Sequence, residues 1–124
     1  MKLHNSPWIL SVQMDVDPSK ESLFHEVYET EHIPTLLEVP GVRSVRRVRR
    51  DEQLLIALGG ETHILSFPGE PKFTAFYEID SPDVVLGAGW AKAVDAGRWS
   101  SHVRPFTSNR RHTIHSPISW KRGE

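Results

Sequence analysis

The chain has 124 residues, a length that predicts a single domain over residues 1–124. Of these residues, 38% are hydrophobic and 25% are charged, which is typical of soluble globular proteins. The 15 lysines and arginines nearly balance the 16 acidic residues, so the net charge of −1 gives no reason to expect a nucleic acid partner. Because no cysteine is present, disulfides, thiolate nucleophiles, iron–sulfur clusters and cysteine-based zinc sites are excluded.

The first apolar segment, WILSVQMDV, alternates with a period of two and predicts a strand rather than a signal peptide. No stretch approaches the roughly 18 consecutive apolar residues that a membrane span needs. We therefore expect no membrane association and a cytoplasmic location. The apolar face of this strand, which should contact the helices, comprises Trp8, Leu10, Val12, Met14 and Val16.

Asp17-Pro18 predicts the start of the first helix, because aspartate accepts from free backbone amides and proline suits the first helical position. The helix should end at about His32, because Pro34 disfavours the helical conformation of the residue before it. A short second turn over Thr35 to Val39 is possible before the PG pair at residues 40–41 breaks the chain.

Val42 to Arg50 predicts a second strand, whose five arginines require that at least one face be wet or paired with acids. Residues 51–71, DEQLLIALGGETHILSFPGEP, are too long for a tight hairpin. The apolar segments on either side of Gly59-Gly60 indicate either an extra hairpin or a flap, and the sequence leaves both open.

Lys72 to Ile79 alternates clearly and predicts a third strand, with Phe76 on its second face. That phenylalanine suggests that both sides of the sheet are covered. Ser81-Pro82-Asp83 predicts the start of a second helix, which should run through small and apolar residues to a stop at Gly97. The segment RRHTIHSPI, residues 110–118, is compatible with one last strand.

The order strand-helix-strand-strand-helix-strand predicts an α+β fold, a ferredoxin-like four-stranded antiparallel sheet with two helices on one face. In a monomer the other face would expose Ile9 and Phe76. Two such sheets packed face to face would bury it, which predicts a homodimer.

His32 is a candidate general acid or base, since the ordinary pKa of imidazole lies close to neutrality. Phe24, Val27, Tyr28 and Glu31 are spaced as one helical stripe, and His32 lies four residues after Tyr28. The helix end and the nearby acids should favour its charged form. The alternative, which spacing alone favours, is that His32 only caps its helix while Glu31 lies in water.

The other candidates have equally ordinary alternatives. The aromatic residues at strand or helix spacing either line a pocket for a flat ligand or form part of the hydrophobic core. The arginine-rich segments either bind a carboxylate or phenolate or form a solvated strand edge. No metal site is expected, because His112 and His115 should point to opposite faces of a strand and no other histidine pair has standard ligand spacing. No cofactor-binding motif appears. The pocket aromatics in question are Phe76, Tyr77, Trp90 and Trp99.

The segment FHEVYETEHIPTLLEVPGV resembles the dimeric α+β barrel proteins, especially EthD-like members, through Phe24, Tyr28, His32, Pro34 and the PG pair that follows. The resemblance covers residues 8–50 well and the order of elements to about residue 118, whereas residues 51–71 depart from it. It implies a homodimer of ferredoxin-like subunits, with a pocket between each sheet and its helices and no cofactor. Similar proteins include muconolactone isomerases, cofactor-free monooxygenases, polyketide cyclases and small lyases.

The resemblance implies a cofactor-independent lyase, isomerase or cyclase that performs acid–base chemistry on a small aromatic or polyketide-like substrate. His32 would move the proton, and Tyr28 and Glu31 would orient it. The alternatives are a non-catalytic ligand-binding or stress-associated dimer and a cofactor-free monooxygenase. RNA binding is disfavoured, because KFTAFYEI lacks the basic-glycine-aromatic signature of RNA-binding sheets. The predicted substrate-binding residues are Tyr77, Trp90, His112 and Arg111.

Overall fold

A four-stranded antiparallel sheet with helices on one face forms the centre of the computed structural model, which describes residues 6–124. Residues 1–5 of the predicted domain lie outside the described residues. The strand order β2-β5-β1-β6 and the α+β class agree with the predicted ferredoxin-like fold. The strands are β1 (Trp8–Val16), β2 (Val42–Arg49), β3 (Leu54–Leu58), β4 (Glu61–Leu65), β5 (Phe73–Ile79) and β6 (Thr107–His115).

The two central strands, β1 and β5, confirm the alternation read from the sequence. They pair antiparallel, with Ser11 opposite Phe76 and Val12 opposite Ala75. Their helix-facing side chains are buried, whereas Phe76 on the other face remains 36% exposed. In the single chain, the helices therefore cover one face of the sheet. The buried residues of these two strands on the helix side are Leu10, Val12, Met14, Phe73, Ala75, Tyr77 and Ile79.

The first helical segment does not end at His32, so that prediction is wrong. Helix α1 (Glu21–Val27) passes through a π-helical turn, Tyr28–His32, into α2 (Ile33–Leu37). The wider turn lets the Ile33 amide bond to the Tyr28 carbonyl, five residues back. Because the hydrogen-bond register changes just before Pro34, the chain stays helical across a residue that cannot donate.

The second helical segment starts later than predicted. Pro82–Leu86 forms a 3₁₀ turn, and Gly87 is extended with φ −81° and ψ 162°, so helix α3 covers only Ala88–Val94. Leu86, the last residue of the 3₁₀ turn, is 80% exposed. Helix α3 ends at Val94, three residues before the predicted stop at Gly97, which has a left-handed conformation with φ 65°. A second π-helical turn, Trp99–Val103, follows it and was not anticipated.

Residues 51–71 contain a hairpin, which decides between the two alternatives. Strands β3 and β4 pair around Gly59 and Gly60, whose positive φ values of 62° and 82° suit a tight two-residue turn. The hairpin forms a separate two-stranded sheet. The apolar side chains of Leu55 and Ile64 on it are 63% and 64% exposed.

The outer strands and the arginine run complete the sheet. Strand β6 begins three residues before the predicted segment, and its pairing with β1 shifts register between Gln13 and Asp15. On β2, Arg47 binds Glu29 at 2.9 Å, which confirms that the arginine-rich strand needs acidic partners. Within residues 6–124, no helix is long and apolar enough to cross a bilayer.

Candidate active site

A partly enclosed cavity of about 170 Å³ lies between the sheet and the helices. Val12 and Met14 of β1 form its floor, and Leu36 and Val94 contribute from the helical layer. The other lining residues are aromatic or basic. They include His32 and four more of the residues predicted from the sequence for catalysis or binding. Those four are Tyr28, Tyr77, Trp90 and His112.

The His32 imidazole forms one wall of this cavity. Only 6% of the residue is exposed, and its ring stacks on Trp99 with centroids 4.4 Å apart and planes 20° from parallel. The Tyr28 ring meets it edge-on at 5.0 Å. Its Nδ1 is buried without a hydrogen-bond partner among the described residues. A buried nitrogen without a partner needs a reason, and a molecule bound in the adjoining cavity would supply one.

The electrostatic environment keeps His32 neutral. Burial, followed by the positive charges of Arg104 and Arg47, lowers the pKa of His32 from 6.5 to about 4. The expectation that a helix end would favour the charged form is therefore wrong, because His32 lies within the helical segment and not at its end. The capping alternative is wrong for the same reason. At neutral pH, His32 has a lone pair that can accept a proton.

Two tyrosine residues that line the cavity bring their hydroxyl groups together. The Tyr28 and Tyr77 oxygens lie 3.3 Å apart, and both side chains are almost fully buried. Burial raises the pKa of both phenols, so each stays protonated. The Arg47 guanidinium lies 4.3 Å from the Tyr28 ring centre. The pair therefore supplies neutral hydroxyl groups from two residues that line the same cavity as His32.

The structure brings Glu31 to Arg98 and not to the cavity. Its carboxylate accepts the Arg98 backbone amide at 3.0 Å and the Arg98 Nε at 2.5 Å, and these hydrogen bonds hold the pKa of Glu31 below its usual value. The cause is the π-helical turn, which adds one residue to the helical repeat. His32, not Glu31, thus takes the core-facing position that follows Tyr28.

Strand alternation separates the two neighbouring arginines of β6. Arg111 lies opposite Gln13 and His112 lies opposite Val12, so the side chains of Arg111 and His112 project to opposite faces of the sheet. Arg111 binds Glu70 at 2.7 Å away from the cavity, whereas Arg110 and His112 line it. The arginine that lines the cavity on this strand is therefore Arg110 and not the predicted Arg111.

Two further lining residues were absent from the predicted site. Trp99 was a candidate pocket aromatic, but nothing in the spacing linked it to His32, because 67 residues separate them. Arg104 is anchored by Asp95 at 2.8 Å and by the Val94 carbonyl at 2.6 Å. No sequence signal distinguishes it from the other arginines. No group of three or more metal-ligating side chains converges within residues 6–124.

No family model and no curated protein matches the sequence. Solved structures of similar fold therefore provide the comparison. An EthD (ethyl tert-butyl ether D) family protein from Bacillus halodurans is similar, with a TM-score of 0.55 and 12% identity over 90% of this chain and 99% of that one. The heme-degrader MhuD from Mycobacterium tuberculosis, with two hemes in its active site, gives a TM-score of 0.60 and 11% identity over 94% and 100%. An MhuD variant with two manganese protoporphyrin IX molecules per active site gives 0.64 and 10% over the same shares. The chain therefore has the dimeric α+β barrel fold that the EthD-like sequence pattern predicts.

Proposed function

We propose that the protein is a cofactor-independent enzyme in which His32 removes a proton from a small aromatic or polyketide-like substrate. The observation that supports this most is the neutral, buried His32 imidazole beside a cavity, with a nitrogen that no described residue satisfies. Most buried polar side-chain atoms are hydrogen-bonded, so an unpaired nitrogen on a residue that lines a cavity favours a ligand site over a plain core. The reaction class is that of a lyase, isomerase or cyclase.

The proposed chemistry begins with an acidic C–H next to a carbonyl. His32 takes that proton, the C–H electron pair moves to form an enolate, and the imidazolium returns the proton to another atom or to the leaving group. The protonated Tyr28 and Tyr77 hydroxyls are suitable donors to the developing enolate oxygen. Arg104 and Arg110 favour the negative charge through their field.

The two hemes described for MhuD raise the question of whether this cavity also holds a porphyrin. Its volume of about 170 Å³ lies below the roughly 300–1,000 Å³ of pockets for drug-sized ligands, and a heme is larger than those ligands. The cavity does not fit heme, and no step of the proposed reaction uses one.

Proton abstraction can be measured without knowing the natural product. Phenylpyruvate, which is enolisable and carries one ring, is incubated with the protein in D₂O, and the loss of its methylene proton signal is followed by NMR. Exchange that is accelerated by the wild-type protein and lost in a folded His32 variant supports the proposal. Saturable binding with unaccelerated exchange, across a panel of single-ring enolisable acids, would indicate the non-catalytic binding protein instead. Oxygen consumption would indicate a cofactor-free monooxygenase.

The pH dependence should follow the low pKa of His32. Because the neutral imidazole is the active form and its pKa is about 4, exchange should be constant from pH 8 to about pH 5 and fall below that. The folded pKa lies below the usual 6.5, so the unfolded chain binds the proton more readily. The free energy of unfolding should therefore decrease as pH falls from about 6.5 towards 4. A rate profile with a midpoint near 6.5 would contradict this prediction.

We also propose that the chain forms a homodimer through the uncovered sheet face. Ile9 and Phe76 lie on adjacent strands of this face and are 37% and 36% exposed. Phe76→Arg should convert the dimer to a monomer, because it removes an apolar side chain from the proposed interface and places a second positive charge beside Arg46, its neighbour on β2. Sedimentation would show the halved mass. Leu86→Arg, on an 80% exposed residue of the 3₁₀ turn, is the matched control. A wild-type monomer at micromolar concentration would refute the proposal.

A further inference from the structure

The cavity has a one-sided charge distribution. Four basic side chains line it, and no carboxylate does so among residues 6–124. Of the four, His32 is neutral, and burial followed by the charge of Arg110 lowers the pKa of His112. The permanent charges are therefore those of Arg104 and Arg110. A cationic ligand would be repelled here, and an anionic one attracted.

Arg110 differs from the arginines around it in its pairing. Arg104 is held by Asp95 and the Val94 carbonyl, and Arg111 is held by Glu70. Arg110 forms no hydrogen bond or ion pair with any residue of the described chain. It is solvent-exposed and also lines the cavity, so it lies at the mouth. Its guanidinium donors are available to a planar anion, which can accept two of them at once.

The shape of the cavity limits the occupant to one ring. A cavity of about 150 Å³ is large enough for benzene, and this one measures about 170 Å³. The His32 and Trp99 rings stack face to face with their planes 20° apart, and this stack lines the cavity, where it offers aromatic surface beside which a ring can pack. A second fused ring would exceed the volume.

We propose that the ligand of this cavity is a single-ring aromatic carboxylate, with Arg110 as its specificity-determining counter-ion. A carboxylate is fully ionised at neutral pH, whereas a simple phenol is not. Its ring would lie in the cavity beside the His32–Trp99 stack, and its carboxylate would reach Arg110 at the mouth. The inference rests on the proposed function only for the location of the site, because binding does not require turnover.

The test is isothermal titration of the full-length protein with benzoate and with benzamide, its neutral isostere. Arg110→Gln should weaken benzoate binding about tenfold or more, the usual effect of losing one charge-assisted pair, and leave benzamide binding unchanged. Arg111→Gln is the matched control, because it removes the adjacent charge on the opposite face of the sheet and should change neither affinity. Arg110→Lys should restore part of the benzoate affinity. Circular dichroism of each variant confirms that it is folded.

Four other outcomes would overturn the inference, and a fifth would separate it from the proposed function. Benzamide binding as tightly as benzoate would show that no counter-ion selects the ligand. Equal losses in the Arg110 and Arg111 variants would show only a general field, and 2-naphthoate binding more tightly than benzoate would refute the one-ring limit. Absence of benzoate binding would refute the site. Benzoate binding through Arg110 in a protein that exchanges no substrate proton would refute the proposed function and leave this inference intact.

Discussion

Replacement of His32 by phenylalanine is expected to lower the rate of proton exchange by about 100-fold to 10,000-fold, the usual contribution of a general base. Phenylalanine is flat and of similar size, so it can keep the 4.4 Å stack on Trp99 and the contact with Tyr28. It also removes an unsatisfied buried nitrogen, so the free energy of unfolding should not fall. The assay is deuterium exchange of phenylpyruvate followed by NMR.

The matched control for this variant is His63→Phe. His63 lies on the exposed β4 strand of the hairpin, where its ring contacts the Leu58 carbonyl and not the cavity. Its exchange rate should equal that of the wild type. If His32→Phe is folded and exchanges at the wild-type rate, His32 is not the base.

Trp99→Ala should give the largest loss of stability of any single change at the site, about 3–5 kcal/mol, the range for removing a buried aromatic side chain. Trp99 is 3% exposed and contacts Phe24, Tyr28 and His32. Opening this wall also hydrates His32, so the pKa of His32 should rise towards 6.5 and the acid limb of the exchange profile should move with it. Urea unfolding gives the free energy, and the pH profile gives the shift.

Trp120→Ala controls for the loss of an indole in general. Trp120 is 58% exposed near the C-terminus and should change the free energy of unfolding by less than about 0.5 kcal/mol. Equal losses in the two tryptophan variants would contradict the assignment of Trp99 to the cavity wall. An unchanged pH profile in Trp99→Ala would contradict the role of burial in lowering the pKa of His32.

The sheet could be predicted because its signal is local. The alternation in β1 and β5 follows from one buried face, and it places Tyr77 and Phe76 on opposite sides without any tertiary information. The helices were harder, because Pro34 has two physical solutions. It can end a helix, or it can follow a π-helical turn that already changes the hydrogen-bond register. Sequence propensity alone favours the first.

The site residues, like the fold, could be predicted from the sequence only in part. The EthD-like resemblance predicts a site of Tyr28, His32 and Glu31; Tyr28 and His32 line the cavity, whereas the extra residue of the π-helical turn rotates Glu31 towards Arg98. Arg111 was chosen over Arg110 because the register of β6 depends on its pairing with β1, which the sequence does not specify. The His32–Trp99 stack joins distant segments and could not be predicted from local patterns.

The central claim is that His32 forms part of a ligand site and not of a plain core. A crystal structure of the protein with benzoate tests it most directly. We expect ring density in the cavity packed beside the His32 and Trp99 wall, with the benzoate carboxylate within hydrogen-bond distance of Arg110. A structure in which benzoate is absent from the cavity at saturating concentration, and in which His32 Nδ1 is paired with a protein group, would contradict the account.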